Sequence, residues 1–358
     1  MAYTTIDDPS AFFQTALYTG NGTAIGSGGL TVTNDGNSDL QPDWIWHKNY
    51  GAAESHAVAD TNRGTHKGLF TNENSQESTG GSQYVNSFNT DGFTVGNVGW
   101  ANDSGQNYVA WQWKCNGGTT SSNSDGDITA TVQANTTAGF SIVTYTGNGN
   151  GSDQTVGHGL GAECKLVFQK MRTDAGQSWR VFHESVSQSG GGNLFLNSNG
   201  SLDTGDPARI KSTNTSTFTL LAYTSPYNGV NASGKEYLAY CFAEKQGYSK
   251  IGSFTGNGNA DGAFVYTGFK PAWLMIKRTD SANHFLLFDI KRDTFNVGEK
   301  WLRADTNDAA STGIYWDGLS NGFKARTNDP IINASGGTYI YMAFAEHPFV
   351  SSKGVPVT

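Results

Sequence analysis

Short stretches of aromatic and β-branched residues alternate with clusters of Gly, Asn, Asp and Ser along the whole chain. In Tyr108-Val109-Ala110-Trp111-Gln112-Trp113, Val109, Trp111 and Trp113 share one face and Tyr108, Ala110 and Gln112 the other. That period of two is the mark of a strand. No window of useful length keeps apolar residues at helical spacing without a Gly or Asn break. Turn clusters recur about every 8 to 12 residues, the spacing of sandwiches and jelly rolls. The pattern predicts an all-β chain.

The strand stretches also repeat. Leu17-Tyr18-Thr19-Gly20-Asn21-Gly22 returns as Thr144-Tyr145-Thr146-Gly147-Asn148-Gly149 and as Ser253-Phe254-Thr255-Gly256-Asn257-Gly258. A closing block, Ser104-Gly105 then Tyr108 to Trp113, aligns without a gap with Ser233-Gly234 then Tyr237 to Phe242, and with Ser335-Gly336 then Tyr339 to Phe344. Between them, Pro42-Asp43-Trp44-Ile45-Trp46-His47-Lys48 matches Pro271 to Lys277 and, more loosely, Leu166 to Lys170. This predicts three tandem divergent β-sandwich repeats, jelly-roll or lectin-like, at 12–115, 140–245 and 249–349. An N-terminal arm (1–11), a Gly/Ser/Asn-rich linker with a lead-in strand (116–139) and a C-terminal tail (350–358) complete the division. Asn116 to Gly126 should be flexible or laid on the surface. The short Lys245–Lys250 join should pack the last two repeats rigidly.

Composition separates order from disorder. Only 36% of residues are hydrophobic, but 12% are aromatic and the net charge is −8, so neither usual driver of disorder operates. The acidic balance argues against nucleic acid as a partner. No apolar stretch reaches the roughly 18 residues of a membrane helix, and membrane insertion is not expected. Met1 to Ser10 lacks the basic and apolar regions of a secretory signal. Cys115, Cys164 and Cys241 form no metal-like spacing and read as small buried hydrophobes in a protein made in a reducing cytoplasm.

The tests for catalysis give little. Gly147-Asn148-Gly149-Asn150-Gly151 has the wrong spacing for a phosphate loop and reads as a tight turn. Glu244 and Glu346 recur at the end of the closing strand without a second acid at fixed spacing, so a glycosidase pair is not indicated. The seven histidines make no HxxxH pattern and there is no GxSxG elbow. The chain reads as a non-enzyme without a cofactor. Calcium is the one metal the residues suggest, at Asn123 to Asp127 and Asp305 to Asp308, although neither has the downstream Glu of an EF-hand and Asx-turns account for both. Trp100, Trp179, Tyr227, Trp301, Tyr315 and Trp316 fall in loop-like stretches beside Asn and Asp, which suits a sugar-binding face; packing over sheet edges or between repeats is the alternative. Trp44, Trp46, Trp111, Trp113 and Trp273 belong to repeated strands and read as core.

These motifs resemble a group of phage virion proteins, common in marine phages, that includes tail-fibre and other structural components. The resemblance runs through Met1 to Ile6, Phe12 to Thr15, Tyr18 to Gly22, Leu40 to Trp46, Phe88 to Thr94, Asn107 to Lys114 and Ala343 to Phe349. It implies a structural protein of the virion, made in the host cytoplasm and assembled with other virion proteins, and no defined ligand or catalytic residue. Taken with the repeats and the loop aromatics, it makes a tail-fibre or spike component that contacts a host surface polysaccharide the leading expectation. Head or tail decoration without a host ligand is the alternative role, and a polysaccharide depolymerase is a weaker one. Fibres and spikes often form homotrimers, whereas three repeats in one chain could build a threefold body alone.

Overall fold

A computed structural model describes residues 2–188, 191–223 and 229–357. It is an all-β sandwich structure of three large and three small antiparallel sheets. The first large sheet and its small partner use β1 (Phe13–Thr19), β2 (Leu30–Val32), β3 (Trp44–Asn49), β4 (Ala57–Asp60), β5 (Lys67–Phe70), β6 (Ser78–Thr79), β7 (Val85–Phe88), β8 (Phe93–Val95) and β9 (Asn107–Trp113). Their orders are β1-β9-β3-β4-β5-β6 and β2-β8-β7.

The second pair uses β10 (Ser121–Asn123), β11 (Ala130–Asn135), β12 (Phe140–Thr146), β13 (Gln154–Gly157), β14 (Leu166–Met171), β15 (Arg180–His183), β16 (Leu194–Phe195), β17 (Ile210–Thr213), β18 (Thr217–Leu220) and β19 (Glu236–Phe242). It is ordered β10-β11-β12-β19-β14-β15-β16 and β13-β18-β17. The third uses β20 (Ser249–Thr255), β21 (Phe264–Tyr266), β22 (Phe269–Arg278), β23 (Phe285–Asp289), β24 (Leu302–Arg303), β25 (Trp316–Leu319), β26 (Gly322–Ala325) and β27 (Thr338–Pro348), ordered β20-β27-β22-β23-β24 and β21-β26-β25. In each unit the first and last long strands pair at the same register: Tyr18 faces Tyr108, Tyr145 faces Tyr237, and Phe254 faces Tyr339.

Each unit has its own core between large and small sheet, around Phe93, Phe218 and Phe323 respectively. A fourth core lies where the outer faces of the three large sheets meet. The Trp113 ring stacks on Trp44 at 4.2 Å, Trp44 lies 4.4 Å from Tyr240, and Trp113 meets Trp273 edge-on at 5.6 Å. Phe344 touches Phe13, Trp113 and Phe242 at 5.4 to 6.0 Å. Both faces of each large sheet are therefore buried, which explains why β3 and β14 are buried along their whole length. The repeated tryptophans are core, as their strand pattern suggests, but the core they form joins the units.

Backbone bonds close the contacts. Glu77 N–H donates to Arg172 O and Leu202 N–H to Thr279 O, while Ala310 N–H donates to Tyr50 O. Asn116 to Gly126 is laid on the surface, with β10 at the rim of the second large sheet. Its start is fixed by the Asp43 carboxylate, which accepts from the N–H groups of Cys115, Gly117 and Gly118.

Candidate functional site

The repeated Thr-Gly-Asn-Gly blocks form a lock. Asn102 Oδ1 accepts from Asn21 N–H at 2.8 Å, Asn231 from Asn148 at 3.0 Å, and Asn333 from Asn257 at 2.9 Å. Each of these asparagines also donates to a carbonyl two residues further along the block, that of Thr23, Asn150 or Asn259. A tyrosine hydroxyl completes each lock, accepting at 2.7 Å from the N–H of Asp103, Ala232 or Ala334. Gly22, Gly149 and Gly258 hold φ near +67°, where a side chain is strained. The amides and hydroxyls are consumed internally. The motif is architecture.

Three buried lysines occupy one register position in the large sheets. Lys48 Nζ donates to the carbonyls of Ala52, Glu54 and Asn307, the last in the third unit. Lys277 reaches Asn199 O in the second unit at 3.1 Å, whereas Lys170 donates to its neighbour Met171 O. Burial pulls Lys48 and Lys277 down to about 8 and Lys170 to about 7. Lys48 and Lys277 thus tie neighbouring units together, and all three side chains are spent on backbone carbonyls rather than left for nucleophilic chemistry. His47 and His183 are also buried, and burial lowers them to about 3 and about 4.

The carboxylates flagged by sequence are engaged in local structure. Glu244 accepts from Ile251 N–H and pairs with Lys250, and Glu346 pairs with Lys270 at 2.7 Å. Asp125 and Asn123 bond one another, and Asp127 accepts from Thr155. Asp305 holds His284 and Phe285 N–H, while Asp308 holds Arg303 and Thr306. Among the described residues no group of three or more His, Cys, Asp or Glu could hold a metal ion.

The predicted loop-aromatic face needs correction. Trp100, Trp179, Trp301 and Trp316 are all buried, so their rings offer no surface for a sugar to stack on. Trp100 packs against His47 and Tyr84. Trp179 lies between units, its Nε1 donating to Phe70 O at 2.8 Å and its ring parallel to Tyr240. Trp301 carries the Arg303 guanidinium over its face, and Trp316 packs on Phe288 in the third core. Tyr315 is exposed, and Tyr227 lies outside the described residues.

Exposed apolar side chains are concentrated elsewhere. Among the described residues, five of the seven large ones belong to the third unit: Phe264, Tyr266, Phe295, Val297 and Tyr315. Phe264 and Tyr266 share the outer face of edge strand β21, two residues apart. Tyr315 stands at the start of β25, where its carbonyl accepts from Arg326 N–H. Phe295 and Val297 flank Asn296, whose amide exchanges two hydrogen bonds with the backbone of Gly318 and seats this segment beside β25. Ion pairs Lys324–Asp261 and Arg326–Asp317 cross the same face.

The corresponding outer faces of the other two small sheets are hydroxylic. Thr31 faces Thr94, which faces Ser87; Thr155 faces Thr219, which faces Ser212. The third sheet has Phe264, Lys324 and Asp317 in that row. Sequence reasoning missed this face because Phe264-Val265-Tyr266 reads as an ordinary strand. Aligning it with Thr31-Val32-Thr33 would have exposed the change.

No curated protein and no solved structure matches the chain. A family model described as a domain of unknown function, DUF7483, matches residues 8–348, nearly the whole chain, and the protein belongs to that family.

Proposed function

We propose that this chain is a non-catalytic structural protein of a phage particle, a tail-fibre or spike component whose third unit contacts a host surface glycan. One observation carries the reading: aromatic side chains stand exposed on the outer sheet of the third unit where the other two units present Thr and Ser. Apolar ring faces beside fixed charges suit the C–H faces and hydroxyls of sugars. The central core supports a chain that acts as a monomer within its assembly, because three large sheets already fill it.

Binding to host polysaccharide tests the proposal. Wild-type protein should be retained on it, and Phe264→Thr with Tyr266→Thr should not. Equal retention of both would sink the glycan reading, and release of new reducing ends would revive a depolymerase. Light scattering should give a mass near 38 kDa.

A head or tail decoration protein is the second reading. Phe295, 82% exposed beside Val297, favours it, since projecting aliphatic and phenyl groups are what a protein interface buries. Particle imaging separates the two: density at tail appendages supports the first, and density repeated over the capsid the second.

A further inference from the structure

Strand β1 ends the first large sheet. Lys114 N–H donates to Phe12 O at 2.9 Å and Gly20 N–H to Gln106 O at 2.8 Å, on the register that pairs Gln14 with Gln112 and Tyr18 with Tyr108. In an antiparallel ladder the intervening residues, Phe13, Thr15, Leu17 and Thr19, aim their N–H and C=O groups away from β9. Among the described residues no strand pairs with β1 on that side. The strand reads FQTALYT, without the charge or proline that usually protects an edge.

The other two units show what this position takes. In the second, β11 pairs with β12 along its length, Gln133 facing Ile142, Val132 facing Val143 and Ala130 facing Tyr145. Two residues of the first unit hold it: Asn62 Nδ2 donates to Thr131 O, and Gln133 Nε2 donates to Thr61 Oγ1. In the third, the corresponding N–H, that of Ile251, is capped by the Glu244 carboxylate at 2.9 Å. One edge is filled, one carries a carboxylate cap on a single amide, and β1 has no strand on that side among the described residues, its first four residues lying buried beside a cleft.

This cleft of about 200 Å³ is lined by Gln14, Thr15, Asp35, Asn37, Ile290 and Lys291, with Lys291 paired to Asp35 at 2.8 Å. Ile290 and Lys291 follow Asp289 as Thr61 and Asn62 follow Asp60, and both aspartates sit at the same register in their sheets. The cleft is thus the counterpart of the place that β11 occupies. Thr15 Oγ1, on a buried residue, has no hydrogen-bond partner among the described residues.

We propose that the β1 edge receives an extended segment of another protein chain, antiparallel to β1, which completes the first sheet as β11 completes the second. The β11 register sets its chemistry. Small apolar residues stand opposite Ala16 and Tyr18, and an uncharged polar residue stands opposite Thr15.

Amide hydrogen exchange on the full chain tests this, with a synthetic peptide of residues 129–137, which contains β11, as the probe. In the free protein the amides of Thr15 and Leu17 should exchange at least about tenfold faster than those of Gln14 and Ala16. A millimolar excess of peptide should slow them to the rate of Gln14, and a shuffled peptide should not. Thr15→Pro removes only an outward N–H, so the fold should persist while peptide protection of Leu17 is lost. Slow Thr15 and Leu17 amides in a free monomer would overturn the proposal, as would no response to the peptide. A dimer with those amides protected would assign the edge to a second copy and overturn the proposed partner.

Discussion

The junctions between units are built in two ways. Between the first and second units, Tyr240 donates its hydroxyl to Asp60 at 2.7 Å, and Asp60 pairs with Arg63 at 2.6 Å, both side chains fully buried. Between the first and third, Trp111 Nε1 donates to Asp289 at 3.1 Å, and Asp289 pairs with Arg292 at 2.6 Å. At the junction of second and third, the register that holds Asp60 and Asp289 carries His183, and Met342 stands where the others have Tyr240 and Trp111. The difference teaches that one position in the central core tolerates either a charged lock or a neutral one, with an aromatic donor at the first and a thioether at the second. A buried ion pair fixes geometry at a cost in desolvation, and a thioether fills space without demanding a partner.

The largest effect should come from breaking a charged junction. Asp289→Ala leaves the buried Arg292 without its carboxylate and should cost about 3–5 kcal/mol, whereas Met342→Leu should cost less than about 1.5 kcal/mol. Urea unfolding checks both, and similar losses would refute the contrast. Lys48→Met comes next, because it leaves the carbonyls of Ala52, Glu54 and Asn307 without their donor. A loss of about 1–3 kcal/mol is expected, and a smaller one for Lys170→Met, which gives up a bond within its own strand.

Acid should act on the neutral junction. His183 is held down to about 4, chiefly by burial and despite a carbonyl of Tyr341, while the unfolded chain binds that proton near 6.5. Stability is therefore lost as pH falls from 6.5 toward 4, and His47, at about 3, adds to the loss from inside the first unit. Urea midpoints measured from pH 7 to pH 4 should decline, less steeply in His183→Gln. A flat profile would show that neither histidine is excluded from protonation. The smallest change in stability should follow Phe264→Thr, within about 0.5 kcal/mol because the ring is half exposed, with glycan retention as the property lost.

Much of this architecture could be read from the sequence because it rests on local pattern. The alternation in Tyr108 to Trp113 identifies a strand, which the structure buries on both faces, and Gly22, Gly149 and Gly258 mark turns that only glycine enters without strain. The contact surface was harder to read because exposure is decided by distant neighbours. Trp179, amid Gln, Ser and Arg, looks solvent-facing, yet Phe70 and Tyr240 of two different units cover it. Phe264 and Tyr266 look like core residues by the same local rule and stand exposed.

Because one chain supplies all three large sheets around a single core, each side can diverge without the others. An assembly of identical subunits cannot change one face without changing every copy. Here the rings on the third outer sheet occur once among the described residues, and only the second large sheet carries a strand in the place beside β1 that the first leaves unpaired. The molecule is therefore indexed. Set upon a threefold-symmetric partner, it would present three unlike sides, and so would convert a symmetric mount into a directional one.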